Sequence, residues 1–207
     1  MLDHGANTNL SGGQYANALQ AALGGSDDAI ISRLLENGGN RNAHWGEVYG
    51  PSLLSGPIHG QADIVRLLLE HGADVNAKGG RYGSALQAAA IRGHEDIMRL
   101  LLEHDADVNA QGGYYGNALQ VASHNDCRLA VKTLLDSGAD VNAQGGAYGS
   151  ALQAASCRGQ EVIVRMLLAC SADPNAQGGY YGSALRAAVM RGHEATAQLL
   201  VVYLDSY

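Results

Sequence analysis

The chain has 207 residues, a net charge of −7 and 46% hydrophobic residues, with ten tyrosines and no phenylalanine. That composition sets aside disorder as the default, and the negative balance sets aside nucleic acid as a partner, because a phosphate backbone would be repelled. The longest wholly apolar run, residues 199–204, is too short to cross a bilayer, so no membrane partner is expected.

From the N-terminus, MLDHGANTNL lacks the charged and apolar regions of a signal peptide. Its first six residues read as the tail of a helix whose front is missing. A glycine- and tyrosine-rich phrase then recurs along the chain: SGGQYANALQ from 11, EVYGPSLL from 47, KGGRYGSALQ from 78, QGGYYGNALQ from 111, QGGAYGSALQ from 144 and QGGYYGSALR from 177. Its second tyrosine falls at Tyr15, Tyr49, Tyr82, Tyr115, Tyr148 and Tyr181, one step of 34 residues and then steps of 33. A fixed period of that length marks a stacked repeat protein. The reading is therefore one array over 1–207, with a residual repeat at 1–11 and six helix pairs over 12–207. A phosphate-binding loop would need a lysine after its last glycine. Here Gly83, Gly116, Gly149 and Gly182 are followed by Ser84, Asn117, Ser150 and Ser183. The repetition itself also argues against a nucleotide site, so no cofactor is assigned.

Within one unit, residues 76–108, the glycines at 79 and 80 permit the positive φ of a tight finger. Ser84 stands where a helix N-cap belongs, as do Asn17, Asn117, Ser150 and Ser183 elsewhere. Leu86, Ala89 and Ala90 recur on one helical face, and their small size suits close stacking. Gly93 ends that helix. His94 and Glu95 open a second one, with Ile97, Met98, Leu101 and Leu102 as its apolar stripe. Gly72 and Gly138 supply left-handed stops, which Asp105 and Ser171 must imitate without glycine. One unit cannot bury its own stripes, so stability is expected to be shared between neighbours.

The second repeat departs from this pattern. Its finger, His44 to Tyr49, is one residue longer and holds the only tryptophan, Trp45. Pro57 falls inside its first helix, which is expected to be short or kinked, with the finger displaced. Two readings stay open: drift in a degenerate repeat with Trp45 lying on the adjacent finger, or an exposed aromatic anchor.

The unit G-x-x-L-x-x-A-A-x-x-G-H-x-x-I-V-x-x-L-L-x-x-G-A-D-x-N, clearest in GHEDIMRLLLEHDADVNA at 93–110, resembles the ankyrin repeat over essentially the whole chain. The family's Thr-Pro-Leu-His becomes Ser-Ala-Leu-Gln at 84–87, which keeps the cap and a side chain able to bond the loop. The GGxYGxALQAA variant looks like ankyrin arrays of fungal signalling proteins, often at the C-terminal end of larger sensors. The resemblance implies an all-α repeat solenoid of stacked helix pairs with β-hairpin-like fingers and a concave protein-binding face, and it implies no catalysis.

Cys127, Cys157 and Cys170 occupy three different repeat positions, which argues against a disulfide framework and for a reducing, intracellular location, with the cytoplasm expected. The histidines mostly repeat in register and form no HExxH, so no metal is assigned. Cys127 beside His124 lacks a third partner for nucleophilic work. The informative residues vary where the repeat is otherwise constant. One column precedes the finger tyrosine and the other ends the first helix; in the ankyrin family these positions face the concave groove. The candidate partner-binding residues are Trp45, Arg81, Arg92, Tyr114, Asn125, Arg158, Tyr180 and Arg191, with a protein as the partner. For the arginines a competing reading is attraction to the helix C-terminus. For the constant finger tyrosines it is packing between fingers. Alternatives are a structural or regulatory array of a larger signalling protein, or an enzyme or small-molecule site in the groove.

Overall fold

The structure, a computed structural model, describes residues 7–10, 12, 17–45 and 50–205, and for Trp45 only its backbone. The residual repeat at 1–11 therefore lies largely outside the described residues, and Tyr15 and Tyr49 lie wholly outside them. Twelve α-helices follow one another in pairs among the described residues: α1 Ala18–Gly25, α2 Asp28–Glu36, α3 Ser55–His59, α4 Ala62–Glu70, α5 Ala85–Arg92, α6 Glu95–Glu103, α7 Ala118–His124, α8 Arg128–Asp136, α9 Ala151–Ser156, α10 Glu161–Ala169, α11 Ala184–Met190 and α12 Glu194–Leu204. The first helices, α1, α3, α5, α7, α9 and α11, pack in sequence to form one layer, and the second helices form another behind it. The result is an all-α repeat solenoid.

The layers differ because their residues do. In α5, Ala85, Leu86, Gln87, Ala88, Ala89 and Ala90 are all buried. Such a helix is enclosed on nearly every side, and its alanines let neighbouring backbones approach. In α6, Ile97, Met98, Leu100 and Leu101 are buried while Arg99 and Glu103 are exposed, the one-sided pattern of a surface helix. The predicted caps are in place. Asn17, Ser84, Asn117, Ser150 and Ser183 each accept a hydrogen bond from the amide three residues on.

Asp105 and Ser171 adopt φ of 63° and 66°, as their neighbours in register Gly72 and Gly138 do at 77° and 86°. Ser26 and Asp126, at first-helix ends, are also left-handed, although the sequence reading did not single them out. A left-handed residue other than glycine costs about 1–2 kcal/mol, less for Asp, against the backbone entropy that a new glycine loses, about 0.5–1 kcal/mol. Ser171→Gly should therefore raise stability by about 0.5 kcal/mol and Asp105→Gly by less. Urea unfolding midpoints measure both, and a clear fall for Ser171→Gly would show that its side chain contributes more than its strain costs.

The second repeat solves its proline problem by shortening. A 3-10 turn over Ser52–Leu54 precedes α3, which has only five residues. Pro57 then lies in the first turn of α3, where a backbone amide has no partner within the helix to lose. Ser52 Oγ donates to Ala43 O at 2.9 Å and Ser55 Oγ to Ser52 O at 2.7 Å, fixing this entry. The expected displacement of the finger does not hold at its base. His44–Trp45 (β1) pairs antiparallel with Gly50–Pro51 (β2), and a Cβ on Gly50 would stand 2.7 Å from the Gly79 carbonyl carbon. Gly83 and Gly149 meet the next finger just as closely, and residues 46–49 lie outside the described residues.

Candidate partner-binding face

The last four fingers each close through one antiparallel bridge between glycines, Gly79 with Gly83, Gly112 with Gly116, Gly145 with Gly149 and Gly178 with Gly182. Successive fingers are then joined by their main chains. Tyr114 N donates to Arg81 O at 3.4 Å, Ala147 N to Tyr114 O at 3.0 Å and Tyr180 N to Ala147 O at 2.9 Å. The variable column before the finger tyrosine is thus a backbone ladder running from repeat to repeat.

A second tie comes from below. Gln87 Nε2 donates to Gly112 O and Gly116 O, at 3.1 and 2.7 Å, in the next finger. Gln120 reaches Ala143 O, Gly145 O and Gly149 O, and Gln153 reaches Ala176 O, Gly178 O and Gly182 O. Gln120 also accepts from Asn117 N at 2.8 Å, which completes a capping box. At the far edge of the loops the Asn column makes a third tie: Asn76 Oδ1 accepts from Asp107 N, Asn109 Oδ1 from Asp140 N and Asn142 Oδ1 from Asp173 N, at 2.7–2.8 Å. The fingers are therefore held rigidly, and what they display is preorganised.

Arg81 and Arg92 come together with Asn125 around a recess of about 300 Å³ whose other walls are Tyr82, Ile91 and Tyr115. Asn125 is half-buried and its amide donates to Val121 O at 2.8 Å, so part of its role is to end α7. Tyr114 joins a different group. Its ring meets those of Tyr115 and Tyr148 edge-on, while Tyr115 and Tyr148 stack with centroids 6.2 Å apart. That stack is finger-to-finger packing by the constant tyrosines. His124, not chosen from the sequence, sits on the same cluster, 4.6 Å from the Tyr148 ring, with Nε2 2.8 Å from the Tyr148 hydroxyl. Its pKa is lowered by burial and then by the charge of Arg158, with a smaller contribution from Arg191. Burial pushes the Tyr148 hydroxyl up to about 12. Arg158 and Arg191 are exposed, Arg158 one residue past the C-cap of α9 and Arg191 at the C-cap of α11. Tyr180, 81% exposed, meets only Tyr181, edge-on, among the described ring contacts. For Trp45 the side chain lies outside the described residues, so neither reading of it is decided.

The repeat geometry and the sequence phrase converge. The family model for three copies of the ankyrin repeat matches residues 59–145, and the model for a single ankyrin repeat matches residues 150–179, together more than half of the chain. The chain belongs to the ankyrin-repeat family. No curated protein matches it. Ankyrin repeats generally serve protein–protein interaction, and among the described residues no helix is long and apolar enough to cross a membrane.

Proposed function

We propose that this ankyrin array, acting as one continuous unit, is a non-catalytic module that receives a protein partner on the face made by its fingers and first helices. The observation that carries the reading is the exposure of large side chains on a main-chain ladder. Tyr114 is 55% and Tyr180 81% exposed, yet the backbone beneath each is fixed by the neighbouring finger. An aromatic held on a rigid support loses little freedom on binding, the condition for an interface anchor. Two of the three thiols support the same reading. Burial raises the pKa of Cys127, and it pushes Cys157 up to about 11, leaving little of the nucleophilic thiolate at neutral pH. The imidazole of His124 is committed to Tyr148.

The test is photocrosslinking in lysate of the source cells. Benzoylphenylalanine placed at Tyr114 or Tyr180 should capture the same protein, and at the exposed Arg165 of α10 on the opposite layer should not. Capture from Arg165 alone, or from none of the three, would sink this assignment of the face.

A further inference from the structure

Charge is sorted between the two layers. Residues 78–93, 111–126, 144–159 and 177–192 make up the fingers and first helices of four successive repeats, and their one acidic residue is Asp126, just past the end of α7, which pairs with Arg128. They do contain Lys78, Arg81, Arg92, Arg158, Arg186 and Arg191, all exposed. Every acidic residue from 62 onward lies on a second helix or in the turns flanking one. The ion pair Arg99–Glu95 lies within α6, and Arg128–Asp126 joins the start of α8 to the turn before it. Among the described residues none of the six cations of the finger face is in an ion pair. A chain of net charge −7 thus presents a positive face. Attraction to helix C-termini accounts for Arg92, in the last turn of α5, and for Arg191, at the C-cap of α11. It does not account for Lys78 and Arg81 in a finger, nor for the presence of one acid against six cations.

The spacing is informative. Arg92, Arg158 and Arg191 occupy the same column in the third, fifth and sixth repeats, and in the fourth that place belongs to Asn125, next to His124, which packs with the Tyr115 and Tyr148 rings. Packed helices lie roughly 8–10 Å apart, and a peptide extended as polyproline II advances about 3.1 Å per residue with about three residues per turn, so one repeat corresponds to about three peptide residues and every third side chain faces the array. Duplex DNA carries a charge about every 1.7 Å, far denser than this column.

We propose that the finger face binds an extended acidic peptide segment. Its carboxylates meet Arg92, Arg158 and Arg191 at relative positions 0, 6 and 9, and an aromatic or apolar residue at position 3 meets the tyrosine cluster. This rests on the reading of the chain as a protein-binding module and specifies the partner's chemistry.

Random 16-residue peptides displayed on phage and selected on the full chain in 50 mM NaCl test it, followed by fluorescence anisotropy of the winners. The expected winners carry acids in that three-residue register. Their Kd should rise at least tenfold in 300 mM NaCl and at least tenfold in Arg92→Glu or Arg158→Glu, with the thermal midpoint unchanged because both side chains are exposed. Neutral or basic winners that still lose binding on Tyr114→Ala or Tyr180→Ala would overturn the acidic partner and leave the module standing. Winners indifferent to every finger and first-helix substitution would sink both. A 20-base-pair duplex binding more tightly than the winners would overturn the proposal in favour of nucleic acid.

Discussion

Gly113→Ala is expected to cost roughly 2–5 kcal/mol, enough to loosen the contact between the third and fourth fingers. Gly113 has φ of 62°. A Cβ there would lie 2.7 Å from Arg81 O and 2.8 Å from the Tyr82 carbonyl carbon, and neither is the free end of a side chain that could swing away. Two costs combine: about 1–2 kcal/mol for a left-handed alanine and about 1–3 kcal/mol for forcing packed groups apart. Gly138→Ala separates them. Its φ is 86°, and a Cβ there would meet nothing within 4 Å, so it should show the conformational cost alone. Urea titrations of the two variants give the difference directly. Equal losses would mean that the fingers yield easily and that their close approach carries no energy.

Gln120→Ala is expected to cost about 2–4 kcal/mol. The side chain is fully buried and serves three carbonyls of the next repeat, those of Ala143, Gly145 and Gly149, while accepting from Asn117 N. Gly145 O and Gly149 O keep their amide partners across the finger bridge, so alanine would take the partner from Ala143 O and Asn117 N and open a void. Gln120→Met keeps most of the volume and removes only the polar bonds, so it isolates the cost of orphaned backbone groups, about 1–3 kcal/mol. If Met restored wild-type stability, the amide would be space-filling and the hydrogen bonds between repeats would be incidental.

How far these ties were legible differs from one to the next. The period, the caps at Ser84 and Asn117 and the left-handed stops at Asp105 and Ser171 follow from local chemistry, and local chemistry is what residue spacing records. Gln87 was readable as a loop-bonding side chain, but its acceptor Gly116 lies 29 residues away, and only stacking brings it near. His124 was passed over because its neighbours in sequence offer it nothing; its partner Tyr148 comes from the following finger. The charge sorting is written in the sequence in full, yet it has no meaning until residues 78–93 and their repeats are known to share one face. The displacement expected for the second finger does not reach its base, for a related reason. Main-chain contact between Gly50 and Gly79 holds the base in register.

The ladder through Arg81, Tyr114, Ala147 and Tyr180 is built from amide and carbonyl groups alone. Any amino acid supplies a carbonyl, and any but proline supplies an amide. Arginine, alanine and tyrosine already stand at equivalent rungs without altering the join. A lineage can therefore rewrite the chemistry shown at these positions by single codon changes while the mechanical coupling between repeats stays as it was. A library randomised at 81, 114, 147 and 180, excluding proline from the three donor positions, would sample new specificities from a scaffold already folded.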